Sequence, residues 1–198
     1  MRIYHRERAG RPIRLVWTLE ELGLPYELTI MDSEEGRGAE HRARHPLGRV
    51  PVLEDDEGPL FESTTLCLHV ADLAPGAGLS APAGSHERAL IGQWALFAMT
   101  EIEPSALQAW QLRDSAPEVA EAAGQRAAAA CDAVIDALDD REFLVGDRFT
   151  VADVVVSEVV RISRRIGIVD LDSPVRPYLT AMKARPAYAR AEEKLSVE

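Results

Sequence analysis

The sequence predicts an α/β N-terminal half followed by an all-helical C-terminal half. Three observations carry this reading. Strand and helix patterns alternate up to Leu73, residues 75–84 are rich in Pro, Gly, Ala and Ser, and strand signals vanish beyond His86.

Met1–His5 is a short, largely apolar run that fits a strand. Pro12–Leu22 carries Ile13, Val16, Trp17 and Leu19 at helical spacing, with Pro12 acceptable in a first turn and Gly23 as a stop. Tyr26–Met31 alternates apolar and polar residues as a half-buried strand does. After a Gly- and charge-rich stretch, Val50–Glu54 and Leu60–Phe61 read as two strands split by the turn Asp55–Pro59, and Leu66–Leu73 as a helix. Beyond the Pro/Gly stretch, His86–Arg113 reads as one long amphipathic helix. Val119–Leu138 is a second, Ala-rich helix, and Val151–Ile166 a third, apolar on most sides and therefore central and buried. Tyr178–Met182 and Ala187–Lys194 close the chain as short helices.

The 198 residues carry 22 Lys+Arg against 33 Asp+Glu, a net charge of −11, with 46% hydrophobic residues. That balance is globular rather than disordered, and argues against nucleic acid or an anionic membrane as partner. Two cysteines, Cys67 and Cys131, build neither a disulfide framework nor a structural zinc site, and His41, His45, His69 and His86 lack metal-ligand spacing. No metal is expected. Neither a signal peptide nor a run of the ~20 apolar residues of a membrane span is present, so the expected location is cytoplasmic. Gly-rich phosphate loops and a Gly-x-Ser-x-Gly elbow are absent.

One segment carries chemistry. In Gly48-Arg49-Val50-Pro51-Val52-Leu53 a proline begins a strand after a β-branched residue. A cis Val50–Pro51 bond would turn the Val50 N–H and C=O outward, ready to pair with an extended peptide-like ligand. Glu62-Ser63 then opens a helix, where a hydroxyl and free N–H groups suit a carboxylate and a nearby carboxylate suits an ammonium. Together they describe a site for a γ-glutamyl tripeptide; the alternative reading of Glu62-Ser63 is a plain helix cap.

Four blocks in order resemble the glutathione S-transferase family: Leu19-Glu20-Glu21-Leu22-Gly23-Leu24-Pro25-Tyr26, His45-Pro46-Leu47-Gly48-Arg49-Val50-Pro51-Val52-Leu53, Phe61-Glu62-Ser63-Thr64-Thr65-Leu66-Cys67-Leu68, and Phe149-Thr150-Val151-Ala152-Asp153. The resemblance covers essentially the whole chain. It implies a thioredoxin-like glutathione-binding domain at 1–76, a linker at 77–85, and an all-helical domain at 86–198 that contributes the electrophile pocket. It also implies that Val50 pairs with the cysteinyl part of glutathione, that Pro51 is cis, and that Glu62 and Ser63 hold the γ-glutamyl end. Thr150 and Asp153 are expected to form a structural capping box, stapled by Phe149 and Val154.

The departure from the family lies in the loop His5-Arg6-Glu7-Arg8-Ala9-Gly10-Arg11, where Ala9–Arg11 stand in place of the Ser or Cys that activates the thiol. Arg11, at the start of the first helix, and Tyr4, at the end of the first strand, are the candidate substitutes; a solvated loop arginine and a core aromatic are the alternatives. His5 is a third candidate, as an acid or base. Trp94, Phe97 and Trp110 are candidate lining residues for the second substrate, or else core. By resemblance, the chain is a homodimeric, detoxifying transferase that joins glutathione, as co-substrate, to a small apolar electrophile. The other readings are a glutathione-dependent isomerase, lyase or reductase, a user of another thiol, and a non-catalytic binding or regulatory protein.

Overall fold

The computed structural model describes residues 1–7, 10–170 and 172–196. It divides into two compact units: Met1–Ala77 with the chain from Ala184 on, and Gly78–Lys183.

The first unit runs β1 (Arg2–Arg6), α1 (Pro12–Leu22), β2 (Glu27–Met31), a 3-10 turn (Glu35–Arg37), α2 (Ala39–Arg44), β3 (Val52–Asp55), β4 (Gly58–Phe61) and α3 (Ser63–Leu73). The sheet order is β2-β1-β3-β4, with β1 and β2 parallel and the other pairs antiparallel; Tyr4 lies opposite Thr29 and Val52. Helix α1 begins with Pro12 in its first turn and stops at Gly23, whose φ of 64° is the left-handed C-cap that glycine adopts without strain. Because side chains alternate along β1, Ile3 and His5 share one face and Tyr4 takes the other. There Tyr4 packs with Met31, Val50 and Val52.

The second unit runs α4 (His86–Phe97), α5 (Glu103–Leu112), α6 (Pro117–Leu138), α7 (Val151–Arg165) and α8 (Arg176–Lys183). The single long helix expected over 86–113 is instead interrupted by a π-helical turn at Ala98–Ile102. Pro104 explains the break. It has no N–H to give the preceding turn, and the chain changes register ahead of it, with the Glu103 N–H bonding to the Ala98 carbonyl. Helix α7 is the buried central helix expected, closed from Val151 to Val160.

Helix α9 (Pro186–Leu195), expected at the end of the helical half, belongs to the first unit and packs on α1. Trp17 meets Tyr188 edge to face at 4.9 Å, and Glu21 takes Arg185 in a two-pronged ion pair at 2.6 and 2.9 Å. Glu20 accepts from Lys194, Arg190 and Tyr26. Burial alone would push Glu20 up, but those donors outweigh it and hold its carboxyl at about 2.

His5 on β1 is 1% exposed, and neither ring nitrogen has a hydrogen-bond partner. Burial pushes its pKa down; the Leu195 backbone and the Glu7 charge oppose the shift without reversing it. The fold therefore favours neutral His5. Its contribution is present above the ordinary histidine value of about 6.5 and is lost as pH falls from there through the lower folded value. The urea midpoint of the wild type is expected to drop more between pH 7.5 and 5.5 than that of His5→Leu. Parallel curves for the two proteins would show that His5 does not titrate against the fold.

Candidate functional site

Two segments of the first unit meet where the sequence placed a ligand. The Val50–Pro51 bond is cis, and both residues precede β3 and lie outside its pairing register. The loop before them is held tightly. The Gly48 N–H bonds to the His45 carbonyl at 2.8 Å, the Leu47 N–H to His45 Nδ1 at 3.1 Å, and His41 Nε2 to the Arg49 carbonyl at 2.9 Å. Gly48 is required here, since φ is 59° and a Cβ would stand 3.1 Å from the Gly36 carbonyl. Val50 turns its side chain into the Tyr4 cluster.

The other segment is the corner between β4 and α3. Glu62 is the residue ahead of α3, with φ 71° and ψ 104°, a region sparsely populated by any residue other than glycine. Its carbonyl starts the helix by accepting from the Leu66 N–H at 2.9 Å. Its side chain caps nothing and is exposed, so a plain cap does not describe it. Ser63 beside it is 3% exposed and accepts a hydrogen bond from Arg14 Nη1 at 3.3 Å. The two segments adjoin through His45, whose ring lies 4.7 Å from that of Phe61. Burial pushes the His45 pKa down, the Glu62 charge pulls it up, and His41 and Arg49 add to the downward push.

The three candidates for thiol activation differ sharply. Arg11 is half-buried and stands ahead of α1 in helical geometry, and no acidic residue occupies the first turn to cancel the positive end of the helix. Ala9 lies outside the described residues. Tyr4 donates its hydroxyl proton to Glu54 Oε2 at 2.6 Å, beneath the Arg44 guanidinium, which sits 4.1 Å over its ring. Burial, and then the bond to Glu54, push its pKa up. His5 is buried, with neither ring nitrogen hydrogen-bonded.

In the second unit the structure brings Trp94 and Phe97 together, edge to face at 5.6 Å and half-buried. Trp110 is 48% exposed and pairs with the Arg113 guanidinium at 5.1 Å. Cys67 and Cys131 are buried thiols, and burial pushes both up to about 11, far from thiolate character. Among the described residues no cluster of three His, Cys, Asp or Glu is gathered as a metal site, and no helix is long and apolar enough to cross a membrane. Arg14 is the residue that sequence reasoning missed. The available signal was a charge set among Ile13, Leu15 and Val16.

Comparison with known proteins matches both halves of the chain. The family description "Glutathione S-transferase, N-terminal domain" matches residues 1–72, and "Glutathione S-transferase, C-terminal domain" matches residues 88–186. Glutathione S-transferase 4 of Zea mays is 49% identical over 59 residues, 29% of this chain and 26% of its own length. Glutathione S-transferase GST-4.5 of Xanthomonas campestris pv. campestris is 26% identical over 151 residues, 73% of this chain and 74% of its own. Elongation factor 1-gamma of Trypanosoma cruzi is 29% identical over 160 residues, 79% of this chain and 39% of its own. The solved ternary complex of BphK, a bacterial glutathione S-transferase, superposes with a TM-score of 0.88 at 27% identity, covering 100% of both chains. With both domain descriptions matched in order along most of its length, the chain belongs to the glutathione S-transferase family.

Proposed function

We propose that the protein binds glutathione along Val50–Pro51, with the γ-glutamyl end at Glu62 and Ser63, and activates its thiol for transfer to a small apolar electrophile. The observation that carries this reading is the β4–α3 corner. A left-handed, non-glycine residue presents an uncapping carboxylate to solvent beside a buried serine hydroxyl at a helix N-terminus. Strain of this kind, on the order of 1–3 kcal/mol, persists where the surroundings hold it for a purpose.

In this reading Glu62 pairs with the ligand ammonium, while Ser63 and the first N–H groups of α3 take the carboxylate. The Val50 N–H and C=O pair with the cysteinyl unit as an added strand would. The thiol gives its proton to solvent. The thiolate forms the new C–S bond at the electrophilic carbon, and the displaced group leaves with the bonding pair. The Arg11 charge and the positive end of α1 favour thiolate over thiol. Tyr4, its proton committed to Glu54, is not assigned this role. The Trp94–Phe97 pair is the apolar surface assigned to the electrophile, and the assembly is proposed to be a homodimer.

The test is calorimetric titration with glutathione, followed by turnover of an activated aryl halide. Arg11→Ala is expected to lower kcat/KM at neutral pH by about tenfold or more and to move the acid limb of its pH profile upward, because loss of a positive charge raises the thiol pKa. An unchanged profile would remove Arg11 from the mechanism. A second reading, a non-catalytic binding protein, draws support from the missing Ser or Cys and from the relative named elongation factor 1-gamma. Saturable glutathione binding without turnover of any electrophile would favour it.

A further inference from the structure

The head-group corner is backed from inside the unit by the buried charge of Arg14. Arg14 on α1 is 0% exposed, in a helix whose residues from Pro12 to Leu19 are all buried. Arginine is almost never fully buried without a partner that needs it. Among its interactions, Nη1 lies 3.3 Å from Ser63 Oγ, across 49 residues of sequence. The same guanidinium pulls down the thiol of Cys67, one turn further along α3, against the burial that pushes it up. The charge therefore lies alongside the start of α3.

The chemistry of that contact has one sense. A guanidinium has only donors, whereas a hydroxyl has one proton and two lone pairs. Ser63 must be the acceptor, and its own proton is not used by Arg14. Among the described residues Ser63 has no other side-chain partner, although it is 3% exposed. We propose that Arg14 is a positioning residue: it occupies the inner lone pair of Ser63 Oγ, so that the Ser63 O–H is turned outward as a donor to the α-carboxylate of the γ-glutamyl group. Its charge adds to the positive end of α3, whose first turn holds no acidic residue. This rests on the glutathione reading given above.

The test compares two ligands, glutathione and its analogue amidated at the γ-glutamyl α-carboxylate, each titrated calorimetrically into the wild type, Arg14→Gln, Ser63→Ala and the double variant. Arg14→Gln is expected to weaken glutathione binding about tenfold, the scale of one charge-assisted hydrogen bond, and to leave the weaker amide affinity within about twofold. The double variant is expected to bind glutathione within about twofold of the worse single variant, because both substitutions remove one coupled interaction. Equal losses for both ligands, or losses that multiply in the double variant, would show that Arg14 acts only through the fold and would overturn the proposal. Should Arg14→Gln fail to fold, Arg14→Lys takes its place: a loss confined to glutathione supports the role, and a loss shared by the amide ends it. A wild type that binds neither ligand overturns the glutathione reading, and this inference with it. A wild type that binds glutathione but shows the uncoupled pattern overturns this inference alone.

Discussion

Asp153→Ala is expected to destabilise the second unit by about 3–5 kcal/mol, near the top of the range for single substitutions and a large fraction of the ~5–15 kcal/mol that holds a domain together. An exposed cap of this form is worth about 1 kcal/mol. Asp153 differs because it is fully buried and serves four donors. Its Oδ1 accepts from the Leu144 N–H at 3.0 Å and the Tyr178 hydroxyl at 3.2 Å; its Oδ2 accepts from the Thr150 N–H at 2.9 Å and the Thr150 hydroxyl at 3.2 Å. Truncation strands all four away from water, each at a cost of about 1–3 kcal/mol before relaxation. One carboxylate thus ties the 139–150 connection and α8 to the start of α7. Urea unfolding measures the effect. A loss near 1 kcal/mol would show that the stranded donors find other partners. Glutathione affinity per folded molecule is expected to be unchanged, since the residue lies in the structural part of the chain.

Glu62→Gly is expected to move stability and affinity in opposite directions. Replacing a side chain at φ 71° by glycine relieves about 1 kcal/mol of left-handed strain, partly offset by the greater freedom of glycine in the unfolded chain. The same change removes the carboxylate assigned to the ligand ammonium and weakens glutathione roughly 10- to 100-fold, the range of a charge-assisted hydrogen bond. Thermal unfolding and calorimetry on the same sample check both signs. Glu62→Gln separates them, since it keeps the backbone strain and loses the charge. A fall in both stability and affinity with Glu62→Gly would mean that the corner is a structural cap after all.

Much of the candidate site was legible in the chain because its signals are local. The Val50–Pro51 pair and the opening of α3 at Glu62-Ser63 depend on residues within a few positions of one another. The capping box of Thr150 and Asp153 spans four residues and was legible for the same reason. Its energetic weight was not, because nothing nearby in sequence announces that Leu144 and Tyr178 also donate to Asp153. Helical periodicity identified His86–Arg113 as apolar on one face but overlooked Pro104, whose missing N–H divides it.

By itself, then, the sequence determined the order of strands and helices, the point where strands cease, the cis-proline strip and the membership of the chain in its family. The first two follow from periodicity, caps and breakers, which act over one or two turns; the cis proline and the family come from the resemblance carried by the four residue blocks. Only the tertiary structure decided which side chains meet. The Tyr4 hydroxyl finds Glu54 across 50 residues, Arg14 finds Ser63 across 49, and Arg185 closes on Glu21 across 164. Each of those pairings sets a property of the candidate site or of its supporting unit: a tyrosine whose proton is committed, a serine whose proton is free to point at a ligand, a last helix docked on α1. Such contacts arise from pairing β1 with β3 and from packing the apolar faces of α1, α3 and α9, and which polar groups these bring together is not encoded in any local pattern.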